Sequence, residues 1–212
     1  MTDVMPARRA PRLASGGAIR EAAARLFLDK GYQATSMDDI AAAARISKQT
    51  IYTHFSSKEH LFADLVLGNA DRVEAFIGSL VAPFPEAGDL EAGLRRVARE
   101  YARFVIRPEV LHLRRLVIGE AGRFPDLART YYERVPERVY SALAALLREL
   151  ADAGRLQIDD PLLAAHHFGW LVLGRPLDRG MFLPAAEVTR GVDLDELADA
   201  AVRVFLAAYA RR

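Results

Sequence analysis

Apolar residues recur at three- and four-residue intervals almost from end to end of this chain, the spacing of one buried helical stripe after another. No sustained alternation of apolar and polar positions argues for a sheet, so the pattern predicts an all-α fold of about nine helices. A first helix runs from about Ala18 to Lys30, with Ile19, Ala23, Leu26 and Phe27 inward and Gly31 ending it. Ser36 and Asp39 form a variant capping box that opens a second helix at about Met37, ending near Ala44. Ser47 caps a third helix that ends around Phe55. Ser57 starts a long fourth helix with the stripe Phe62, Leu65, Val66, Val73, Phe76, Ile77 and Leu80, interrupted by Asn69 and closed by Pro83 and Pro85.

Further along, Leu90, Leu94, Val97, Tyr101 and Phe104 mark a fifth helix stopped before Pro108, and Val110 to about Glu120 forms a sixth. From Pro125 to Ala153 the stripe Leu127, Tyr131, Val135, Val139, Leu143, Leu146, Leu150 crosses Pro136, which should kink or split that helix. Pro161 behind Asp159 and Asp160 opens an eighth helix towards Gly174, and Asp193 with Glu196 opens a last one reaching about Tyr209. The predicted organisation is a flexible arm over 1–14, a small three-helix head over 15–60 and a larger helical body over 61–212.

At 212 residues and 51% hydrophobic, the chain can bury one large core or two modest ones. A formal net charge of +1 excludes a uniformly basic coat, which weakens the reading as a non-specific nucleic-acid binder. The distribution says more: residues 1–60 hold nine Lys/Arg against six Asp/Glu, and the remainder holds twenty against twenty-two. Cysteine is absent, which excludes disulfides, thiol catalysis and thiolate metal sites. With no apolar leader region and no run of about eighteen apolar residues, the expectation is a cytoplasmic protein with no membrane partner.

The head carries the one pattern with recognisable chemistry. A helix-turn-helix needs a small residue where its helices cross, an apolar lock between them, and donors left outside on the second helix. Ala41 is the small residue, Ile40, Ile46 and Ile51 are the lock, and Lys48, Gln49, Thr50, Tyr52, Thr53 and His54 remain outside. A lysine can donate to guanine O6/N7 and a glutamine can pair with adenine, while Thr50, Tyr52 and His54 suit phosphate oxygens. Lys58 could hold the backbone from the far side, and Thr35 and Ser36 offer hydroxyls and amides at a helix N-terminus. Taken alone, such a helical pair is equally compatible with an ordinary solvated face.

Read as a whole, the head resembles the TetR family of transcriptional regulators. The resemblance rests on Phe27 to Gly31, Tyr32, Ala34-Thr35-Ser36, Asp39-Ile40-Ala41, Ser47-Lys48, Ile51-Tyr52, His54-Phe55 and Lys58-Glu59-Leu61-Phe62, and it spans about residues 18 to 66. It implies a homodimer whose heads bind double-stranded operator DNA and whose bodies hold a small effector, with repression as the default. Carried over by position, the DNA contacts fall on Thr35, Ser36, Ser47, Lys48, Gln49, Thr50, Tyr52, Thr53, His54 and Lys58, with Lys48, Gln49 and Thr53 as base contacts. The chain departs from the family where the turn commonly has glycine and here has Arg45, at about 1 kcal/mol if that residue is left-handed. The run from Leu113 to Tyr132 is similar to the C-terminal domain of AefR-like members.

The body is poorer in signals. A mostly apolar effector would meet candidates drawn from Asn69, Tyr101, Phe104, His112, Leu116, Glu120, Phe124, Tyr131, His166 and Trp170, although helical cores need such residues anyway. Leu163, His167, Trp170, Leu171 and Gly174 on the eighth helix, with Leu197, Ala201, Val204, Phe205 and Ala208 on the ninth, form the expected dimer seam. No enzyme is expected, since no nucleophile with its base, G-x-S-x-G, P-loop or H-E-x-x-H is present. The adjacent His166 and His167 point about 100° apart on a helix and cannot chelate one metal, so no metal and no cofactor are expected.

Overall fold

The structure, a computed structural model, describes residues 9–68, 70–81 and 89–211. Its chain divides into two compact units. One holds the N-terminal residues through Asn69 together with Leu116–Ala128, and the other holds Ala70–Arg115 and Arg129–Arg212.

In the first unit four helices, α1 (Arg9–Lys30), α2 (Met37–Ala43), α3 (Lys48–His54) and α4 (Lys58–Leu67), surround one apolar centre. Ile19, Ala23, Phe27, Tyr32, Ile40, Ala41, Ile51, Leu61, Phe62 and Val66 are buried there, so the small crossing residue and two members of the lock are where the spacing predicts them, and the third, Ile46, is half-buried. Helix α1 starts at Arg9 rather than about Ala18, which puts Arg9 and Arg12 of the expected arm inside a helix; Arg8 lies outside the described residues.

The cap signals convert directly into bonds. Ser36 Oγ accepts from the Asp39 amide at 3.0 Å, and the Asp39 carboxylate accepts from the Ser36 amide at 3.0 Å, a complete capping box. The Ser36 amide and hydroxyl, both donating to the Asp39 carboxylate, hold that carboxyl below its ordinary range. At the other end of α2, the Arg45 amide donates to Ala42 and the Ile46 amide to Ala41, the paired closure of a Schellman turn. That closure needs a left-handed residue, and Arg45 supplies it at φ 55°, the one non-glycine with positive φ among the described residues.

The second unit contains α5 (Ala70–Leu80), α6 (Leu90–Val105), α7 (Pro108–Glu120, shared at its C-terminal end with the first unit), α8 (Pro125–Arg134, shared at its N-terminal end with the first unit), α9 (Pro136–Asp152), α10 (Pro161–Phe182), α11 (Ala185–Val188) and α12 (Leu194–Tyr209). Three differences from the periodicity have local causes. The long fourth helix is two helices, because Gly68 ends α4, as suits the weakest helix former after proline. The stripe crossing Pro136 splits there, with the proline at the first position of α9. Helix α10 runs past Gly174 to Phe182 because Pro176, Leu177 and Gly180 are buried, and that burial overrides the cost of an interior proline.

Leu94, Val97, Leu143, Leu147, Phe168, Val172 and Phe205 fill the centre of this unit. Across one side, Arg99 forms a forked pair with Asp199 (2.8 and 2.6 Å), and Arg103 reaches Asp195, pinning α6 to α12. An isolated bridge between Leu156 and Ala210 ties the residues after α9 to the end of α12.

Replacing Arg45 by glycine should relieve its backbone strain and raise stability by about 1 kcal/mol. Urea denaturation of the two proteins checks this, with the midpoint expected to move upward in the variant.

Candidate functional site

Helix α3 is anchored by Ile51 and by its C-cap Phe55, both buried, while Thr50 and His54 are half-buried. Lys48, Gln49, Tyr52 and Thr53 are exposed, with Tyr52 at 46% unusual for so large a ring. Ser47 caps the helix by accepting from the Thr50 amide at 3.1 Å, and its hydroxyl also meets the Thr50 hydroxyl at 2.7 Å. Thr53 donates back to the Gln49 carbonyl at 2.8 Å, which fixes its methyl and hydroxyl on the outer face. His54 is half-buried, and its ring lies near Gly16 of α1.

An open cleft of about 590 Å³ runs beside this face, between the start of α2, helix α3 and the start of α4. Ser36, Asp38, Lys48, Tyr52, Lys58 and Glu59 are among its lining residues. Lys48 Nζ donates to Asp38 Oδ2 at 2.8 Å across the cleft, and this bond raises the lysine above its ordinary pKa.

Two of the expected contact residues sit differently from the sequence reading. Thr35 is 1% exposed, and its hydroxyl donates to the Gly31 carbonyl at 2.9 Å and the Leu26 carbonyl at 3.3 Å. That hydroxyl closes the end of α1 and cannot also reach a phosphate. Lys58 Nζ donates to the Tyr32 and Thr35 carbonyls at 2.9 and 2.8 Å and lies 4.3 Å from the centre of the Tyr32 ring. Two of its three donors therefore hold the head's own loop.

Tyr32 is the hub of this arrangement. Its ring meets Phe27, Phe62 and Phe124 at 5.4, 4.8 and 5.1 Å, and its hydroxyl donates to Glu59 at 3.1 Å. Burial and the Glu59 bond push its pKa up to about 12.

The expected effector residues do not form one constellation. Leu116, Glu120 and Phe124 belong to the same compact unit as the head, where Phe124 packs on Tyr32 and Phe62. Trp170 is 56% exposed on α10, and Asn69 lies outside the described residues. Phe104 stacks on Phe76 at 3.8 Å. His112 is half-buried on α7. In the body Tyr101 and Tyr131 are buried, the Tyr101 hydroxyl bonds that of Tyr140, and the Tyr140 ring lies 4.2 Å from His166. Burial raises all three phenols, and the Arg114 guanidinium pulls each of them partway back, so this arginine belongs to the same cluster. Tyr140 is one of the bulky aromatic residues the sequence offers, whereas Arg114 is expected from it only as an ion-pair partner of Glu120. Its signal lies in tertiary neighbourhood, which no helical stripe encodes.

The dimer seam divides likewise. Leu163, Trp170 and Leu171 on α10 and Val204 on α12 are exposed apolar residues, whereas Phe205 and Ala201 are buried in the chain's own core.

Residues 92–211 match the family model described as the C-terminal domain of AefR-like transcriptional repressors, and residues 19–65 match bacterial regulatory proteins of the tetR family. The chain belongs to the TetR family. The crystal structure of a TetR-family regulator from Mesorhizobium loti superposes with a TM-score of 0.81 at 38% identity, covering 96% of this chain and all (100%) of that one. A flavonoid-responsive regulator, FrrA, gives 0.71 at 36% identity, over 93% of this chain and 98% of its own. Among curated relatives, the transcriptional activator FasR of Mycolicibacterium smegmatis is 40% identical over 65 residues, 31% of this chain and 30% of FasR. The chain thus matches less than a third of FasR, and that match lends no more than a domain-length likeness.

A tyrosine whose folded pKa lies above its unfolded one contributes stability that is complete below the unfolded value and is lost as pH rises through the folded value. For Tyr32 that window runs from 10.0 to about 12. The stability advantage of wild type over Tyr32→Phe should accordingly shrink between neutral pH and about pH 11, read from urea midpoints. An advantage independent of pH would contradict the assignment.

Proposed function

We propose that this TetR-family protein is a homodimeric, operator-binding repressor released by a small effector held in its body. The observation that carries the reading is the outward row Lys48, Gln49, Tyr52 and Thr53 on a helix whose opposite side is anchored by Ile51 and Phe55. The first residues of such a helix enter the major groove, where lysine and glutamine can meet guanine and adenine edges. Ser47, Thr50 and His54 suit the flanking phosphates, with Ser36 and the remaining donor of Lys58 on the other side of the cleft. The match of residues 92–211 to AefR-like repressors supports repression over activation.

Two half-sites must lie about 34 Å apart for two heads to read successive turns. The exposed Leu163, Trp170 and Leu171 of α10, with Val204 of α12, are suited to hold a second copy at that separation. For the effector, the cluster Tyr101, Tyr131, Tyr140, His166 and Arg114 offers aromatic walls with phenolic hydroxyls and one cation, which fits a mostly apolar aromatic molecule bearing a few hydroxyl or acid groups. The likeness to a flavonoid-responsive regulator supports that class. Helix α7 carries His112 and Arg114 within the body and continues into Leu116–Ala128, whose Phe124 packs on Tyr32. An effector that shifts α7 would therefore disturb the ring that holds the α1–α2 loop, favouring a non-binding population.

Selection from a random duplex pool should enrich an inverted repeat that outcompetes random DNA by about a thousandfold or more at fixed salt. Lys48→Ala combined with Tyr52→Ala should abolish the preference, and equal competition by random DNA would remove the operator reading. In sedimentation at micromolar concentration, wild type should be a dimer and Trp170→Glu a folded monomer. A monomeric wild type would exclude the α10 seam.

A further inference from the structure

Asp38 and Asp39 are adjacent at the start of α2, yet they do different things. The Asp39 carboxylate turns back into the capping box, whereas Asp38 reaches across the cleft to Lys48. The Asp38–Lys48 pair joins the two helices of the helix-turn-helix and stands largely in solvent, with the side chains 62% and 64% exposed. A pair that exposed adds little to folding and opens readily. The cleft around it brings Asp38 and Glu59 together with Lys48 and Lys58, so an approaching phosphate meets carboxylates beside each cation. A lysine offered to the major groove without a partner would grip any duplex, since phosphate attraction is independent of sequence.

We propose that Asp38 is a positioning residue that limits non-specific binding: it holds the Lys48 ammonium across the mouth of the cleft, so that a random phosphate must displace a carboxylate to reach it. The proposal rests on the operator-binding reading and adds to it the residue that limits non-specific binding. Docking exchanges one charge-assisted bond for another, the Asp38 carboxylate giving up the ammonium as guanine O6 or N7 takes it. Where no such acceptor is present, a phosphate must compete with a carboxylate already in contact at 2.8 Å. Asp38 acts through Lys48, and its role differs from that of a charge stabilising the first turn of α2.

The test uses the full chain, a random-sequence duplex pool, and the duplex that wild type enriches from it. Asp38→Asn should bind the random pool about fivefold more tightly, the worth of one solvated charge pair in contact. Its salt dependence should steepen by about 0.9, one additional phosphate engaged. The enriched duplex, whose guanine must displace the same carboxylate, should gain by no less, and Asp38→Glu should restore wild-type behaviour. In a Lys48→Gln background the same substitution should leave the salt slope unchanged. An Asp38→Asn protein with wild-type affinity and slope on the random pool overturns the proposal. So does one that loses affinity for both duplexes equally while melting earlier, which is what a helix-end role would give. If wild type enriches no sequence at all, the operator reading falls and this proposal with it; an enriched duplex with an indifferent Asp38→Asn overturns this proposal alone.

Discussion

The Lys58 ammonium stands over the Tyr32 ring and donates to the Tyr32 and Thr35 carbonyls, so one cation closes the α1–α2 loop against the start of α4. Carbonyls at the end of a helix need donors, and a half-buried charged donor is stronger than a neutral one. With the loop fixed, the Thr35 hydroxyl turns inward, Ser36 is delivered to its capping position, and α2 leaves at a set angle. The Schellman closure at Arg45 then determines where α3 begins. The outward row of α3 is thus the last link of a chain of local bonds that starts at Tyr32.

Much of the head could be read from residue order because its determinants are local. Ser36 with Asp39, Ser47 and Ser57 are each within three residues of the amide they cap, and all three caps form. Arg45, where the family commonly has glycine, is left-handed, since a tight turn leaves few backbone choices. Thr35 and Lys58 were harder. Both are polar residues next to a helix start, which suits a phosphate equally well, and only the fold reveals that carbonyls at Leu26, Gly31, Tyr32 and Thr35 already claim their donors.

In the body the helices were legible and the neighbourhoods were not. Pro136 and Pro161 mark their helix starts with a constraint that acts within one residue. The assignment of Phe124 to the head's aromatic cluster depends instead on how a segment far along the chain folds back into the first compact unit. The link between Arg114 and three tyrosines, and the burial of Phe205 but not Val204, are likewise tertiary facts. A helical stripe states which residues share a side; it does not name what that side will meet.

The chain has a single tryptophan, Trp170, and it lies on the outer side of α10 with more than half its surface in water. All indole emission from this protein therefore originates at one surface position. Anything that covers that position, a second copy included, would move the emission to shorter wavelength without any attached dye. Events confined to the head would pass unseen, so the native fluorescence separates what happens on α10 from what happens at the cleft.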